Sequence, residues 1–334
     1  MKLVFFPLAV LLALCPSPGA VGAADAADAR SISLRYGQID SSLRSFSSLA
    51  LYISQRKGFL AREGIDLDIV LLPGEGTMID ALDENEADLV HVATPYLIQW
   101  ALRGSDAVAV VGGTANTISS LIARPEIHSY EDLRGKVIAL TGRQDTLTIG
   151  TLMLLARHGI GEDDFQFRDL RGSNNRLDCM TNGDCAAAVL SAPRDFLAVR
   201  DGFVKLGDSF EVFDVLQFNV VAARRTWALA NEDVLTRFAR AFADAYRFMR
   251  DPARRDEVVE IMVETMELPE PVARDLLAFS FEPDRGVMPR QGEINLAGLT
   301  KVIELLGDSG QLDRPLPAAE RFVDLRYLQA AGAQ

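Results

Sequence analysis

The chain has 334 residues, of which 49% are hydrophobic and 24% charged, and its 34 basic and 47 acidic side chains give a formal net charge of −13. This length can bury two ordinary cores, and the composition excludes a disordered, collagen-like or disulfide-dense small protein. The negative charge disfavours nucleic acid as a partner, and the aromatic content of 7% disfavours a surface built from stacking platforms.

The first segment has the pattern of a secretory signal peptide. Lys2 precedes an apolar run of twelve residues, and small residues follow near position 22. Twelve helical residues rise only about 18 Å, too little to span a hydrocarbon core of roughly 30 Å. We therefore expect residues 1–23 to be removed, by cleavage after Ala23 or Ala24, and the mature protein to be exported. Cys15 follows a leucine and not a small residue, which disfavours a lipid-modified cysteine.

Strands and helices alternate over the next part of the chain. Short apolar runs predict strands, and amphipathic stretches between them predict helices. The expected strands are 33–37, 66–72, 89–93, 107–111, 136–140, 165–170 and 186–191. The expected helices are 46–57, 76–83, 95–103, 145–158, 174–181 and 193–201. This alternation predicts an α/β protein with mainly parallel sheets, covered by helices on both faces.

An internal repeat relates two parts of this alternation. Residues 74–97 and 172–197 both run from a polar glycine loop through a short helix and a turn to an apolar strand and a proline that starts the next helix. An offset of 98 aligns Gly74 with Gly172, Asp80 with Asp178, and Pro95 with Pro193. The repeat predicts two related lobes.

The C-terminal part is predicted to be helical. Residues 231–250 form an amphipathic pattern after Asn231, a second helix begins at Asp251-Pro252, and a third covers 292–306 and ends at Gly307. A helical tail without a sheet of its own has to pack on an earlier lobe, most simply the first. The expected domains are 31–118 with 219–334 for lobe one and 119–218 for lobe two, with a hinge near 115–122 and 215–222.

Two cysteines follow the signal segment, Cys179 and Cys185. The residues between them include an Asn-Gly turn that can bring the thiols together, and an exported chain matures in an oxidising compartment. The alternative is a metal site, but this spacing with no nearby histidine is a poor zinc pattern. We predict a local disulfide and no metal.

Searches for catalytic motifs find little. The sequence has no phosphate-binding P-loop, no complete dinucleotide fingerprint and no Gly-x-Ser-x-Gly elbow, and its three histidines, His91, His128 and His158, stand far apart. We predict a non-catalytic protein without a cofactor.

The loops between strands and helices carry the most informative side chains. Their hydroxyls, amides and backbone N–H groups suit a small polar or anionic ligand at helix N-termini, and arginine can pair with a carboxylate, sulfonate or phosphate. Helix capping is the alternative role for each single Ser, Thr, Asn or Asp. The candidate hydrogen-bonding contacts are Gln38, Thr94, Thr114, Thr141 and Ser191. The candidate cations are Arg143, then Arg44 and Arg176, and the candidate apolar walls are Phe46, Tyr96 and Phe218. For Arg143, pairing with Asp145 is an equally good interpretation.

Four stretches resemble a known family: residues 49–64 (LALYISQRKGFLAREG), 85–95 (NEADLVHVATP), 132–142 (DLRGKVIALTG) and 172–193 (GSNNRLDCMTNGDCAAAVLSAP). They are similar to solute-binding proteins of ABC importers in the nitrate/sulfonate/taurine group, which are relatives of the thiamine-pyrimidine-precursor binders. The resemblance implies a two-lobed, type II-like periplasmic binding protein that holds a solute between its lobes. The chain departs from the related thiamine-precursor synthases, because it lacks their cysteine-rich cluster.

The expected function is that of a periplasmic, monomeric receptor that closes by a hinge and delivers a small organic anion, sulfonate-like or carboxylate-like, to an ABC permease at the inner membrane. A neutral pyrimidine-like heterocycle is the alternative solute. An exported enzyme or a sensory module on the same fold is less favoured.

Overall fold

A computed structural model describes residues 31–143, 145–282 and 287–333. The predicted signal peptide and Cys15 lie outside these residues. Within them, no helix combines the length and the apolar character needed to cross a bilayer.

The strands of the described chain form two five-stranded sheets. In chain order the strands are β1 (Ile32–Ile39), β2 (Ile65–Leu72), β3 (Leu89–Ala93), β4 (Ala107–Gly112), β5 (Ser119–Ala123), β6 (Val137–Leu140), β7 (Gln166–Asp169), β8 (Ala187–Ser191), β9 (Val204–Asp208) and β10 (Asn219–Arg224). The first sheet has the order β2-β1-β3-β10-β4 and the second the order β7-β6-β8-β5-β9.

Helices flank both sheets. They are α1 (Leu49–Arg56), α2 (Phe59–Arg62), α3 (Glu75–Asp83), α4 (Thr94–Leu102), α5 (Thr146–Arg157), α6 (Ser173–Thr181), α7 (Arg194–Arg200), α8 (Arg225–Ala230), α9 (Glu232–Arg250), α10 (Arg255–Met266), α11 (Glu270–Ser280), α12 (Leu296–Asp308) and α13 (Arg326–Ala330). The predicted α/β class is confirmed, and most predicted bounds lie within one or two residues of the observed ones. The helix end predicted at Gly307 is wrong, because Gly307 lies inside α12.

Both sheets share one topology, and each contains one reversed strand. Within the first sheet, β10 pairs antiparallel with β3 and β4, while β1 pairs parallel with β2 and β3. In the second sheet β5 takes the corresponding reversed place between β8 and β9. The sheets are therefore mixed, with the remaining strands parallel, and each reversed strand follows a segment that comes from the other sheet.

The repeat seen in the sequence corresponds to elements with the same offset in the structure. Helices α3 and α6 begin at Glu75 and Ser173, which are 98 residues apart, and strands β3 and β8 end at Ala93 and Ser191, again 98 apart. The two sheets thus present equivalent helix starts beside equivalent strand ends.

The helical tail packs on the first sheet. The ring of Tyr36 on β1 has its centroid 6.1 Å from that of Phe238 and 6.3 Å from that of Phe242, both on α9. All three rings are buried, and a fully buried aromatic side chain contributes roughly 2–3 kcal/mol. This face of α9 anchors the tail to the first-sheet core.

Within the described residues, three segments link the two sheets. Residues 113–118 join β4 to β5, and residues 209–218 join β9 to β10. The third link comes from the tail, where the Ala115 N–H donates to the Val287 carbonyl at 2.8 Å. On α11, the Phe279 ring packs edge-to-face on Phe196 and Phe210 of the second-sheet half, with centroids 5.7 and 5.6 Å away. The tail therefore contacts both halves, in addition to the two segments that the sequence predicts as a hinge.

The predicted disulfide is confirmed: Cys179 at the end of α6 is bonded to Cys185 before β8. Both residues are buried beside Met180 and Leu190 in a small core cluster of the second sheet. The bond closes the turn that leads from the helix into the strand.

Candidate functional site

A cleft of about 690 Å³ lies between the loops at the carboxyl ends of both sheets. In open α/β sheets this edge is where ligands bind, because helix N-termini converge there. The first-sheet wall is defined as Asp40, Phe46, Glu75, His91, Tyr96 and Phe218. The second-sheet wall is defined as Thr141, Asp145, Arg171, Arg176, Ser191 and Arg194.

Eight of the predicted contact residues line this cleft: Arg44, Phe46, Tyr96, Thr114, Thr141, Arg176, Ser191 and Phe218. Gln38, Thr94 and Arg143 do not line it. Both groups lie where strands pass into helices at the cleft, so proximity to the cleft does not decide whether a side chain points into it.

Gln38 and Thr94 are buried behind the cleft wall. The Gln38 amide Nε2 donates to Ser48 Oγ at 2.6 Å, and Ser48 in turn donates to the Ser42 carbonyl at 2.8 Å. Thr94 Oγ1 donates to the Gln217 carbonyl at 2.5 Å. Both side chains hold cleft-lining segments in place: Gln38 braces the loop after β1, and Thr94 braces the link before β10.

Arg143 points out of the cleft. Its side chain is 60% exposed and forms an ion pair with Glu162, and its guanidinium lies 4.5 Å from the ring centroid of Phe167. The pairing partner considered in the sequence, Asp145, instead caps α5 by accepting the Leu147 N–H at 2.8 Å.

Arg176 is only 2% exposed and its donors are largely used by the protein. Nε donates to the Val189 carbonyl at 2.6 Å, Nη1 to the Leu170 carbonyl at 2.9 Å, and Nη2 to Ser173 Oγ at 3.0 Å. Burial lowers the pKa of Arg176 to about 10, so it stays charged at neutral pH. It supplies a fixed positive charge beneath the second-sheet wall.

Arg171 and Arg194 are two cleft residues that are not among the cations predicted from the sequence. Both line the cleft, and the guanidinium group of neither forms an ion pair or a hydrogen bond with another described residue. Arg44 also lines it, but its Nη1 is 2.6 Å from Glu267 Oε2. The sequence contained one indication of these two arginines. Each is adjacent to a residue aligned by the repeat, Arg171 to Gly172 and Arg194 to Pro193.

Glu75 is the notable charge of the first-sheet wall. Its Oε2 accepts the Ala93 N–H at 3.1 Å. Desolvation raises the pKa of this carboxyl to about 7, against the lowering effect of the Ala93 bond, and Asp145 raises it further. At the equivalent position of the second copy, Ser173 Oγ accepts the Ser191 N–H at 3.2 Å.

Other groups around Glu75 complete its electrostatic surroundings. Desolvation also raises the pKa of Asp145, and it raises that of Tyr96 to about 12, with the charges of Asp145 and Glu75 adding to the effect. Arg171 acts in the opposite direction on both groups. Since charges on one wall shift the pKa of groups on the other, the walls are electrostatically coupled across the cleft.

His91 and Asn219 support the floor of the cleft. Burial lowers the pKa of His91 to about 4, so its ring is neutral at neutral pH. Asn219 Oδ1 accepts the Thr114 N–H at 2.8 Å, and its Nδ2 donates to Thr114 Oγ1 at 2.7 Å. A side chain at Gly113 would collide with Asn219, so glycine permits this close approach.

The arrangement is that of a binding site with hydrogen-bonding groups on both walls. No cluster of three or more His, Cys, Asp or Glu side chains suited to a metal ion occurs in the part of the chain that the structure describes.

Solved structures of the same fold are numerous. The chain is similar to the alkanesulfonate-binding protein SsuA from Xanthomonas axonopodis pv. citri bound to MOPS, with 18% identity, a TM-score of 0.69, and 86% of this chain and 97% of that one covered. It is also similar to the periplasmic aliphatic sulphonate-binding protein SsuA from Escherichia coli, with 18% identity and a TM-score of 0.68, and 87% of this chain and 92% of that one are covered. A third similar structure is the periplasmic nitrate-binding protein NrtA from Synechocystis PCC 6803, with 15% identity and a TM-score of 0.71, and 90% of this chain and 88% of that one are covered.

At these identities the structures show a shared fold, that of the periplasmic binding proteins. No curated protein sequence matches the chain. The family model described as NMT1/THI5 like matches residues 45–254, which include most of both sheets and the greater part of the cleft lining. The chain therefore belongs to the NMT1/THI5-like family.

Proposed function

We propose that this protein is an extracytoplasmic solute receptor that binds a small organic anion and delivers it to an ABC importer. The observation that carries the proposal is a pair of arginines, Arg171 and Arg194, on one wall of a cleft of about 690 Å³ between two α/β halves. Their guanidinium groups pair with no other described residue. Charged donors left without a protein partner in a cleft favour an anionic ligand.

The start of α6 strengthens this choice of ligand. Ser173, Asn174 and Asn175 line the cleft at the N-terminus of this nine-residue helix. The first N–H groups of a helix have no partner within it, and the helix dipole favours negative charge there. Arg171 precedes the N-cap residue Gly172, so an acid group held by Arg171 would also face the N–H groups.

Closure is the proposed mechanism. We assign 31–118 and 219–334 to lobe one, 119–218 to lobe two, and the hinge to segments near 115–122 and 215–222. Solute would bind to one wall, and approach of the other wall would exclude water and strengthen each polar contact by lowering the local dielectric. The contact of Phe279 with Phe196 and Phe210 is a third attachment between the two halves.

The fold and the names of its relatives support transport as the use of the binding site. The similar structures are of alkanesulfonate-, sulphonate- and nitrate-binding proteins. By analogy we propose a non-catalytic, monomeric and periplasmic protein with a permease at the inner membrane as partner. A neutral heterocycle is the second candidate solute, favoured by the rings of Phe46, Tyr96 and Phe218 along the cleft.

Calorimetry with alkanesulfonates, carboxylates and pyrimidines tests the proposal. An acid should bind and raise the melting temperature. Arg171→Gln and Arg194→Gln should each weaken its binding by about tenfold to a hundredfold, the value of a charged hydrogen bond. Arg143→Gln is the matched control, because Arg143 lies outside the cleft, and it should leave affinity unchanged. Binding of pyrimidines alone would refute the anion, and turnover of a bound solute would indicate an enzyme.

A further inference from the structure

The two walls of the cleft carry opposite chemistry at equivalent positions. Helices α3 and α6 both follow a glycine, Gly74 or Gly172, and neither helix has a side-chain N-cap. Their first residues are Glu75 and Ser173. The acidic side chain stands in the first-sheet wall, and the second-sheet wall has a hydroxyl at that point with Arg171 beside it.

Glu75 retains a free acceptor in the cleft. One oxygen, Oε2, accepts the Ala93 N–H at 3.1 Å, as Ser173 Oγ does from Ser191. The other, Oε1, accepts no hydrogen bond from a described residue and is not enclosed by protein. Serine would have been sufficient for the backbone bond, as Ser173 demonstrates. The additional carboxylate oxygen is therefore available to a ligand.

The carboxylate also decides which end of an acid solute each wall can accept. Above about pH 7, where Glu75 is ionised, it occupies the positive end of α3 with its own charge, so this wall repels a second anion. The start of α6 has no such side chain and is flanked by Arg171. An acid group therefore belongs on the second-sheet wall, and the solute's other end faces Glu75.

We propose that Glu75 is a specificity-determining residue that accepts a hydrogen bond from an ammonium group of the solute, at the end opposite its acid group. The inference rests on the proposed function, since it assumes an acid solute held by Arg171 and Arg194. Asp145 faces the same region and adds to the attraction for a cation, Arg171 opposes it, and Tyr96 contributes a neutral hydroxyl.

Isosteric solutes that exchange an ammonium for a methyl group test this inference by calorimetry. The pairs are 3-aminopropanesulfonate against butanesulfonate, and 4-aminobutanoate against pentanoate. The wild type should bind the amino member of a pair about tenfold or more tightly, as expected for a charged hydrogen bond. Glu75→Gln, which keeps an acceptor for Ala93, should abolish most of that preference and leave the methyl member within about threefold of its wild-type affinity.

Two further variants separate the possible outcomes. Glu75→Ser copies the second repeat and should lose the preference as Glu75→Gln does, whereas Glu84→Gln changes an exposed carboxylate at the other end of α3 and should keep it. Equal wild-type affinity for the two members of each pair, or an undiminished preference in Glu75→Gln, would overturn the role of Glu75 while the acid receptor stands. Failure of every acid to bind would overturn the proposed function, and the inference with it.

Discussion

Glu75 and Ser173 occupy the same place in two copies of one structural unit, and each accepts the N–H at the end of the following strand, Ala93 or Ser191. The bond fixes the helix start against the strand end in both sheets. A carboxylate makes this bond in one copy and a hydroxyl in the other, so the fold requires only one acceptor at this place. The second oxygen of the Glu75 carboxylate is not needed for the bond.

Ser173→Ala should destabilise the protein. The substitution removes the acceptor for both the Ser191 N–H and Arg176 Nη2, and an unsatisfied group at this half-buried position costs about 1–3 kcal/mol. Urea unfolding measures the loss. Thr181→Ala on the same helix is the control, because its exposed hydroxyl bonds only the Leu177 carbonyl and should change the unfolding free energy by less than about 0.5 kcal/mol. Equal effects would contradict the role of Ser173.

Binding of an amino acid-type solute should depend on pH through Glu75. Burial raises the pKa of this carboxyl to about 7, so its negative charge is lost as the pH falls through that value. Affinity for 3-aminopropanesulfonate should therefore rise between about pH 6 and pH 8. His91 remains neutral and Tyr96 protonated over this range. Desolvation also raises the pKa of Asp145, so its ionisation can add to the effect. Titration calorimetry at three pH values checks the prediction. Glu75→Gln should lose most of the pH dependence and keep only the part that Asp145 contributes, and a pH dependence as large as that of the wild type would contradict the role of Glu75.

Asp195 should make the ligand-free protein less stable as the pH rises. This carboxyl is 3% exposed and accepts a hydrogen bond from Ser120 Oγ at 2.9 Å. Desolvation raises its pKa from 3.8 to about 7. The folded state then binds the proton more tightly than the unfolded state, so stability falls between about pH 4 and pH 7, by up to about 4 kcal/mol.

Urea unfolding across this pH range measures the effect. Asp195→Asn does not ionise and should be less dependent on pH than the wild type over the same interval. If the unfolding free energies of the two proteins changed equally with pH, ionisation of Asp195 would not affect stability and the prediction would be wrong.

Removal of the disulfide should lower stability without preventing folding. The loop between Cys179 and Cys185 is short, and cross-linking a loop of this size contributes about 2 kcal/mol in the chain-entropy model. The double variant Cys179→Ser, Cys185→Ser should lose about that much unfolding free energy in urea. Mass spectrometry after thiol alkylation is the independent check, and two free thiols in protein isolated from the periplasm would contradict the bond.

The fold was largely predictable because its elements depend on local patterns. The apolar run of β3 and the proline at the start of α4 both have counterparts 98 residues later, and the repeat therefore placed equivalent elements in both sheets. The reversed strand β10 is not among the strands predicted from the sequence, because its place between β3 and β4 depends on long-range pairing.

The site was less predictable because the direction of a side chain is set by tertiary packing. Gln38 lies at the end of β1 and Arg143 in the loop after β6, both near the cleft. Gln38 is buried beneath the loop that follows β1, and Arg143 pairs with Glu162 outside the cleft. Arg171 and Arg194 face the cleft from positions just beside the polar loop residues. Composition of a loop indicates which chemistry is near a site, while contact depends on the backbone path that the whole sheet imposes.

The central place of β10 in the first sheet has a consequence for biogenesis. Strand β4 is joined to that sheet only through β10 among its strands, and β10 comes from residues 219–224, after the whole second sheet. A chain that emerges from its N-terminus therefore holds β3 with an open edge until more than a hundred further residues have appeared. Open strand edges invite pairing with other chains. The second sheet can complete its own ladder earlier, and the interval before β10 arrives is when the nascent chain most needs protection from aggregation.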